Sequence, residues 1–331
     1  MQDILYETVS LLKRNTQLVL AKFTFYLIFE RPLDKLYYLG SILRGGFGNI
    51  LKKSICTNNE GICKRCSLKE ICIYAYIFET PRGKFQSFSY ELSEYPHPYI
   101  LEPPFSINYF EPHNRISFNL VLIGRAVELL PYFILTFKDL GKKGISIPDE
   151  DKVKRTRYIL EKVEDNFTGT EIYSLYSNYM NSNFTIKDFS SIVEDSRFYD
   201  RERLMIKFIT PTRIVIENKL ASNIDFPLFI RSLLRRISII SQVHCNSTLN
   251  LPYRDILQIA SAVKTTDSDI FWSNWERYST RQKKVIKLGG FLGKVTFGEG
   301  WYQFAPFIKL GEYIHIGKST TFGLGKYIIM S

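Results

Sequence analysis

Between Leu18 and Glu30 the chain alternates apolar and polar positions and is rich in β-branched and aromatic side chains, which predicts a long strand. The pattern then changes period. From Asp34 to Lys53 the apolar residues Leu36, Leu39, Leu43, Phe47, Ile50 and Leu51 recur at helical spacing. Gly45, Gly46 and Gly48 inside that helix cost ~1 kcal/mol each relative to alanine, so close approach of another backbone or of a ligand is expected there. A Pro-rich extended stretch, Tyr95 to Pro104, has room for a strand, and Arg115 to Ile123 alternates as another. Ala126 to Leu140 reads as a helix that Pro131 either kinks or begins. Thr156 to Val163 reads as a strand. This order suits a split βαβ module. Residues 166–200 are polar and form a connection. The pattern then restarts, with a strand over Leu204–Thr210, a basic helix over Pro227–Ser241 and a glycine-interrupted hairpin over Val285–Phe297. A short helix over Phe304–Leu310 and a closing strand over Lys326–Met330 follow. Element order alone therefore predicts a duplicated α+β fold, with domains at 1–165 and 201–331.

Composition adds a partner to this picture. Lys and Arg number 44 against 33 Asp and Glu, a formal charge of +11, and the pI is about 9.2. Such a surplus favours a polyanion, because neutralised phosphates release condensed counterions. Aromatic residues reach 15%, which serves packing first and base stacking second. No apolar run approaches the roughly 20 residues of a membrane span, and no secretory layout opens the chain. The expected compartment is cytoplasmic.

Cys56, Cys63, Cys66 and Cys72 lie close together, while Cys245 stands apart. Four thiolates including a Cys-x2-Cys pair suit a structural zinc site, and a 4Fe-4S cluster is the alternative. Either would be closed to water and structural in role. Gly317, Gly323 and Gly325, with Lys318, Ser319 and Thr320 among them, make a loop whose backbone can approach phosphates. It is not a P-loop, because the glycine that motif needs is replaced by Glu312. The four histidines are His97, between prolines, His113 after Glu-Pro, His244 at a helix end, and His315, which leads into the glycine loop. His315 is the histidine expected nearest a phosphate, against the plainer reading of a half-buried strand residue. Basic residues recur as Arg231, Arg235 and Arg236 on one helix, as Arg281, Lys283, Lys284 and Lys287, and as Lys152, Lys154, Arg155 and Arg157.

The ending HIGKSTTFGLGKYII resembles the glycine-rich C-terminal loop of CRISPR-associated RAMP proteins that process precursor CRISPR RNA. The resemblance extends through YSTRQKKVIKLGGFLGKVTF, FITPTRI, PYFILTFKDLGKKGIS and LRGGFGNILKKSIC with its following cysteines. It implies tandem ferredoxin-like domains and metal-independent cleavage in which the RNA's 2′-hydroxyl attacks, leaving a 2′,3′-cyclic phosphate. That chemistry needs a base, an acid and cations, for which His315, Tyr38 and Lys52 are the catalytic candidates. Arg44, Arg231, Arg235, Arg236, Lys284, Gly317, Lys318, Ser319, Thr320, Gly323 and Gly325 are the expected RNA contacts. The expected partners are the repeat of precursor CRISPR RNA and, beyond it, subunits of a CRISPR effector complex or a second copy of the chain. Many relatives are thought to carry a catalytic histidine on or near the first helix, and this helix has none. A non-catalytic RNA-binding subunit of an effector complex is therefore the alternative.

Overall fold

The first element is a helix, α1 (Gln2–Asn15), which buries Leu5, Thr8 and Leu12 along one face. In β1 (Val19–Phe29) every second residue from Ala21 to Phe29 is buried, and Lys22, Thr24 and Tyr26 lie on the other face. The computed structural model describes residues 2–31, 39–58, 61–80, 95–104, 114–149, 152–177, 179–199, 201–279 and 284–330. They fall into two units, one of residues 20–186 and one of residues 1–19 with 187–331.

In the first unit, α2 (Leu39–Ile55) lays Leu39, Leu43, Phe47 and Leu51 on the buried face of β1. Phe47 stacks on Phe133 at 4.7 Å and on Phe137 at 5.1 Å, both on the second helix of the unit. β2 (Tyr99–Glu102) and β3 (Arg115–Ile123) follow, then α3 (Leu130–Lys143), whose first turn takes Pro131 where a missing N–H costs nothing. A hairpin of β4 (Ile145–Asp149) and β5 (Lys152–Thr156) leads to β6 (Tyr158–Asp165) and β7 (Glu171–Ser174). The strand order β2-β3-β1-β6-β7 is antiparallel throughout, and its first four strands with α2 and α3 form a split βαβ module.

The second unit repeats the plan. It comprises α1, β8 (Lys187–Asp188), α4 (Phe189–Asp195), β9 (Leu204–Thr212), a small hairpin of β10 (Val215–Ile216) and β11 (Lys219–Leu220), α5 (Phe226–His244) and α6 (Tyr253–Ala260). β12 (Thr265–Ser273), β13 (Glu276–Ser279), β14 (Lys284–Lys287), β15 (Gly290–Phe297), α7 (Ala305–Ile314) and β16 (Tyr327–Met330) complete it. Asp225 starts α5 by accepting from the Leu228 amide at 2.8 Å. Strand order is β12-β15-β9-β16, again antiparallel.

Two expectations change. The hairpin expected over Val285–Phe297 does not form: β14 pairs with β13 and β15 with β12. Thr265–Ser273 carries no alternating signal because, as an edge strand, it is exposed on both faces. The connection expected at 166–200 is divided as well. Residues up to 186 join the first unit, where Asp165 accepts from the amides of Phe167 at 2.8 Å and Thr185 at 2.7 Å. Residues 1–19 leave the expected first domain for the second unit. Among the described residues no helix is long and apolar enough to cross a membrane.

Candidate functional site

In the first unit the chemistry gathers around α2. Gly46 and Gly48 are explained by packing: a Cβ on Gly46 would lie 2.7 Å from Leu140, and one on Gly48 would lie 2.5 Å from Phe78. Gly45 faces open space. Between these glycines and the strands lies Arg44, with its guanidinium 4.9 Å from the Phe78 ring centroid and its Nη2 3.1 Å from His97 Nε2. Burial pushes the Tyr99 hydroxyl up to about 12, against the opposing pull of Arg44. Arg44, expected to touch RNA directly, thus spends one donor on His97. Lys52 is turned away from this cluster. Its Nζ donates to the Gly61 carbonyl at 2.7 Å and sits 5.3 Å from the Tyr74 ring centroid, inside the cysteine insert. Tyr38 lies outside the described residues.

The insert begins where α2 ends. Cys56, Cys63, Cys66 and Cys72 are all half-buried, and all four line one small cavity with Asn58, Gly61, Lys69, Tyr74 and Ala75. Burial pushes the Cys63 thiol up, Lys52 draws it back, and Cys56 and Cys72 are close enough to add to the rise. Among the described residues no three Cys, His, Asp or Glu side chains are grouped closely enough to hold a metal ion. Cys56 Sγ donates to the Asn58 carbonyl at 3.7 Å. What the fold does supply is a donor set of four sulfurs around one cavity, which fits a thiolate-preferring ion.

In the second unit, α5 presents Arg231 and Arg235 to solvent and buries Arg236 at 8% exposure. Arg236 is therefore corrected from an RNA contact to an internal brace. Its Nε donates to the Ile314 carbonyl at 2.7 Å, at the C-terminal end of α7, where the helix dipole favours a cation. Burial lowers its pKa to about 9. His315 follows directly, with φ of +59° and 0% exposure. Its Nδ1 lies 3.1 Å from the Leu324 carbonyl. The expected proton exchange with substrate is not available to a side chain so enclosed, and His315 instead holds the two ends of the glycine loop together.

The loop itself closes on the chain. The amides of Lys318 and Gly325 donate to the Arg213 and Pro211 carbonyls at 2.9 and 3.1 Å, and those of Phe322 and Gly323 donate within the loop. Gly325, at φ +71°, has no room for a side chain, since a Cβ would sit 1.8 Å from the Ile316 carbonyl oxygen. The close approach that the glycines permit is thus to β9 and to the loop's own start. Thr320 is buried, Ser319, Gly317 and Thr321 are enclosed or half-buried, and Lys318 is exposed. The side chain of Lys284 lies outside the described residues, as do those of Lys152 and Lys154. Among the aromatic residues, Trp301 is core at 1% exposure, whereas Trp272 stands on the edge strand at 40% beside Phe271 at 57%.

Sequence reasoning passed over two residues. His97 read as a loop histidine because nothing in YPHPY reveals its partners, although the prolines on either side do announce a fixed backbone. Arg213, next to the loop, donates from Nη1 to the Gly289 carbonyl and was hidden in an apolar strand ending.

Two βαββαβ units in one chain, with a cysteine insert after the first helix of one and a glycine loop before the last strand of the other, define a tandem α+β fold. Residues 18–184 match the model of the AF_1859 N-terminal domain, and residues 206–327 match that of CRISPR-associated endoribonuclease Cas6. The chain belongs to the family defined by the AF_1859 N-terminal domain, whose model spans half of it, and its second unit carries the match to the CRISPR-associated endoribonuclease Cas6. An uncharacterized protein of Archaeoglobus fulgidus is 23% identical over 305 residues, which cover 89% of this chain and 92% of that protein. The structure of a Cas6 (TTHB231) product complex superposes with a TM-score of 0.57 at 14% identity, over 94% of this chain and 100% of the other. The Thermus thermophilus Cas6 (TTHB231) structure gives 0.53 at 13%, over 95% and 99%. At these identities the likeness is one of fold.

Proposed function

We propose that this chain binds the repeat of precursor CRISPR RNA and cuts it by attack of the RNA's own 2′-hydroxyl. No metal acts at the reacting phosphate, and the products end in a 2′,3′-cyclic phosphate and a 5′-hydroxyl. The observation that carries this reading is the Cas6 family match over residues 206–327. Supporting it are the exposed cations Arg231, Arg235 and Lys318 in that same unit, which suit a phosphate backbone. A neighbour of the same fold is a product complex, in keeping with an RNA-cleaving role. In this reading Tyr38 positions the 2′-hydroxyl, and Lys52 supports the site through the insert.

The four thiols lining one cavity favour a structural zinc ion or 4Fe-4S cluster, held by Cys56, Cys63, Cys66 and Cys72. Such a group would pin the insert against the end of α2. Elemental analysis of protein purified under anaerobic conditions should find zinc or iron, and visible absorption separates the two. Protein that contains neither overturns the metal.

The enclosure of His315 and the lack of histidine on α2 favour a second reading, an effector-complex subunit that holds RNA without cutting it. One experiment separates them. Purified protein incubated with end-labelled repeat RNA in EDTA should make a single cut with a cyclic phosphate terminus, and a 2′-deoxy nucleotide before the cut should block it. Binding without cutting would favour the subunit instead. Cutting that returns only with added magnesium would overturn metal independence.

A further inference from the structure

Two of the four histidines, His244 at 4% exposure and His315 at 0%, are enclosed in the second unit, and His113 lies outside the described residues. His97 is half-buried. It precedes β2 and lies in the first unit beside α2. An arginine can only donate, so the 3.1 Å contact from Arg44 Nη2 makes His97 Nε2 an acceptor and places the ring proton on Nδ1. Nδ1 then donates to Thr80 Oγ1 at 3.0 Å, and the Thr80 hydroxyl donates in turn to the Tyr76 carbonyl at 3.3 Å. The rings of Tyr99 and Phe78 lie with centroids 6.2 and 6.4 Å from the imidazole.

The backbone that presents Thr80 is itself strained. Thr80 has φ of +37°, a region that β-branched residues avoid, and it ends a π-helical turn over Ala75–Glu79 that its amide closes on the Ala75 carbonyl at 2.7 Å. Both features concentrate at functional sites, where neighbouring structure holds a conformation that local preference opposes. Here they hold one hydroxyl against one imidazole nitrogen. The result is a neutral histidine of fixed tautomer, oriented from behind, with a guanidinium at its reactive nitrogen. That is the arrangement a general base for a phosphodiester requires.

We propose that His97 is the general base of the cleavage reaction and that Arg44 is its partnered cation. The proposal rests on the endoribonuclease reading above. When the scissile phosphate arrives, Arg44 exchanges His97 Nε2 for a non-bridging oxygen and frees the lone pair. The 2′-hydroxyl proton moves to Nε2 as the O2′–P bond forms, and the P–O5′ bond breaks. The departing 5′-oxygen takes that proton back from the imidazolium, directly or through water, so the reaction needs no other reactant. Thr80 keeps the ring in place through both transfers. The exposed Gly45, next to Arg44 on α2, brings no side chain of its own to this face.

The test is single-turnover cleavage of repeat RNA by wild-type protein, His97→Gln and His97→Ala, with affinity measured in parallel. Positioned proton transfer contributes ~10²–10⁴-fold, so His97→Gln should cut slower by about that factor with its RNA affinity within twofold of wild type. Added imidazole should restore part of the rate of His97→Ala, which a fault in folding would not permit. His97→Gln cutting at the wild-type rate overturns the proposal and leaves the endoribonuclease reading standing. Loss of affinity in proportion to rate, in a variant that melts like wild type, also overturns it and makes His97 a binding residue. A wild-type protein that binds repeat RNA and never cuts it overturns both.

Discussion

Arg236 carries its charge where water does not reach, and a single carbonyl, that of Ile314, receives its Nε. Replacing it with alanine removes a charge-assisted hydrogen bond and bares the end of α7, at a cost of roughly 1.5–3 kcal/mol. Urea titration should show that loss for Arg236→Ala, whereas Arg235→Ala, on the exposed face, should stay within about 0.5 kcal/mol of wild type. The difference was open to view in the spacing. Arg231 and Arg235 are four apart and share a face, while Arg236 falls in line with Leu233, Ile237 and Ile240, the buried stripe. His315 offered no such clue. Its neighbours alternate like a strand, and only its positive φ and the return of Leu324 reveal a residue that ties a loop shut.

Among the elements, α2 offers the cleanest comparison of fold with function. Gly45 is helical, exposed and touches nothing within 4 Å, so alanine there should stabilise the protein by about 0.5–1 kcal/mol. If RNA passes over this face, the same methyl should weaken repeat binding. A Gly45→Ala protein that is more stable and binds equally well would mean that the helix face is not part of the path. The turn after β6 responds to acid. Burial opposes the charge of Asp165, but donors from Thr185, Phe167 and Thr168 outweigh it and hold its carboxyl below the usual range. Its stabilisation is therefore present above the ordinary carboxylate value of ~3.9 and disappears as pH falls towards the lowered folded value. Asp165→Asn should be less stable than wild type at pH 7, with a flatter decline below pH 4 in denaturant titrations. Elements such as β1 and α2 were legible because each buries one face and leaves a period behind. β12 was not, because an edge strand exposed on both sides leaves none, and α1 was not, because its face is only Leu5, Thr8 and Leu12. The cysteine spacing was legible as a gathering of thiols on one cavity.

For the molecule as a whole, a net charge of +11 sets the terms of any encounter with RNA. Affinity should fall steeply with salt, and replacing Arg231 and Arg235 together should reduce the slope of log affinity against log salt by roughly 1.4 for single-stranded repeat RNA. A slope unchanged in that double variant would place the phosphate path elsewhere.

The placement of α1 has a consequence for how the chain is made. A ribosome delivers α1 before residues 20–186, yet the unit that takes it in is otherwise built from residues 187–331, which emerge after them. The unit of residues 20–186 can close during synthesis while the apolar stripe of Leu5 and Leu12 still waits for its cover. A product that stops at residue 186 should therefore aggregate through that stripe, and one that also lacks residues 1–19 should stay in solution.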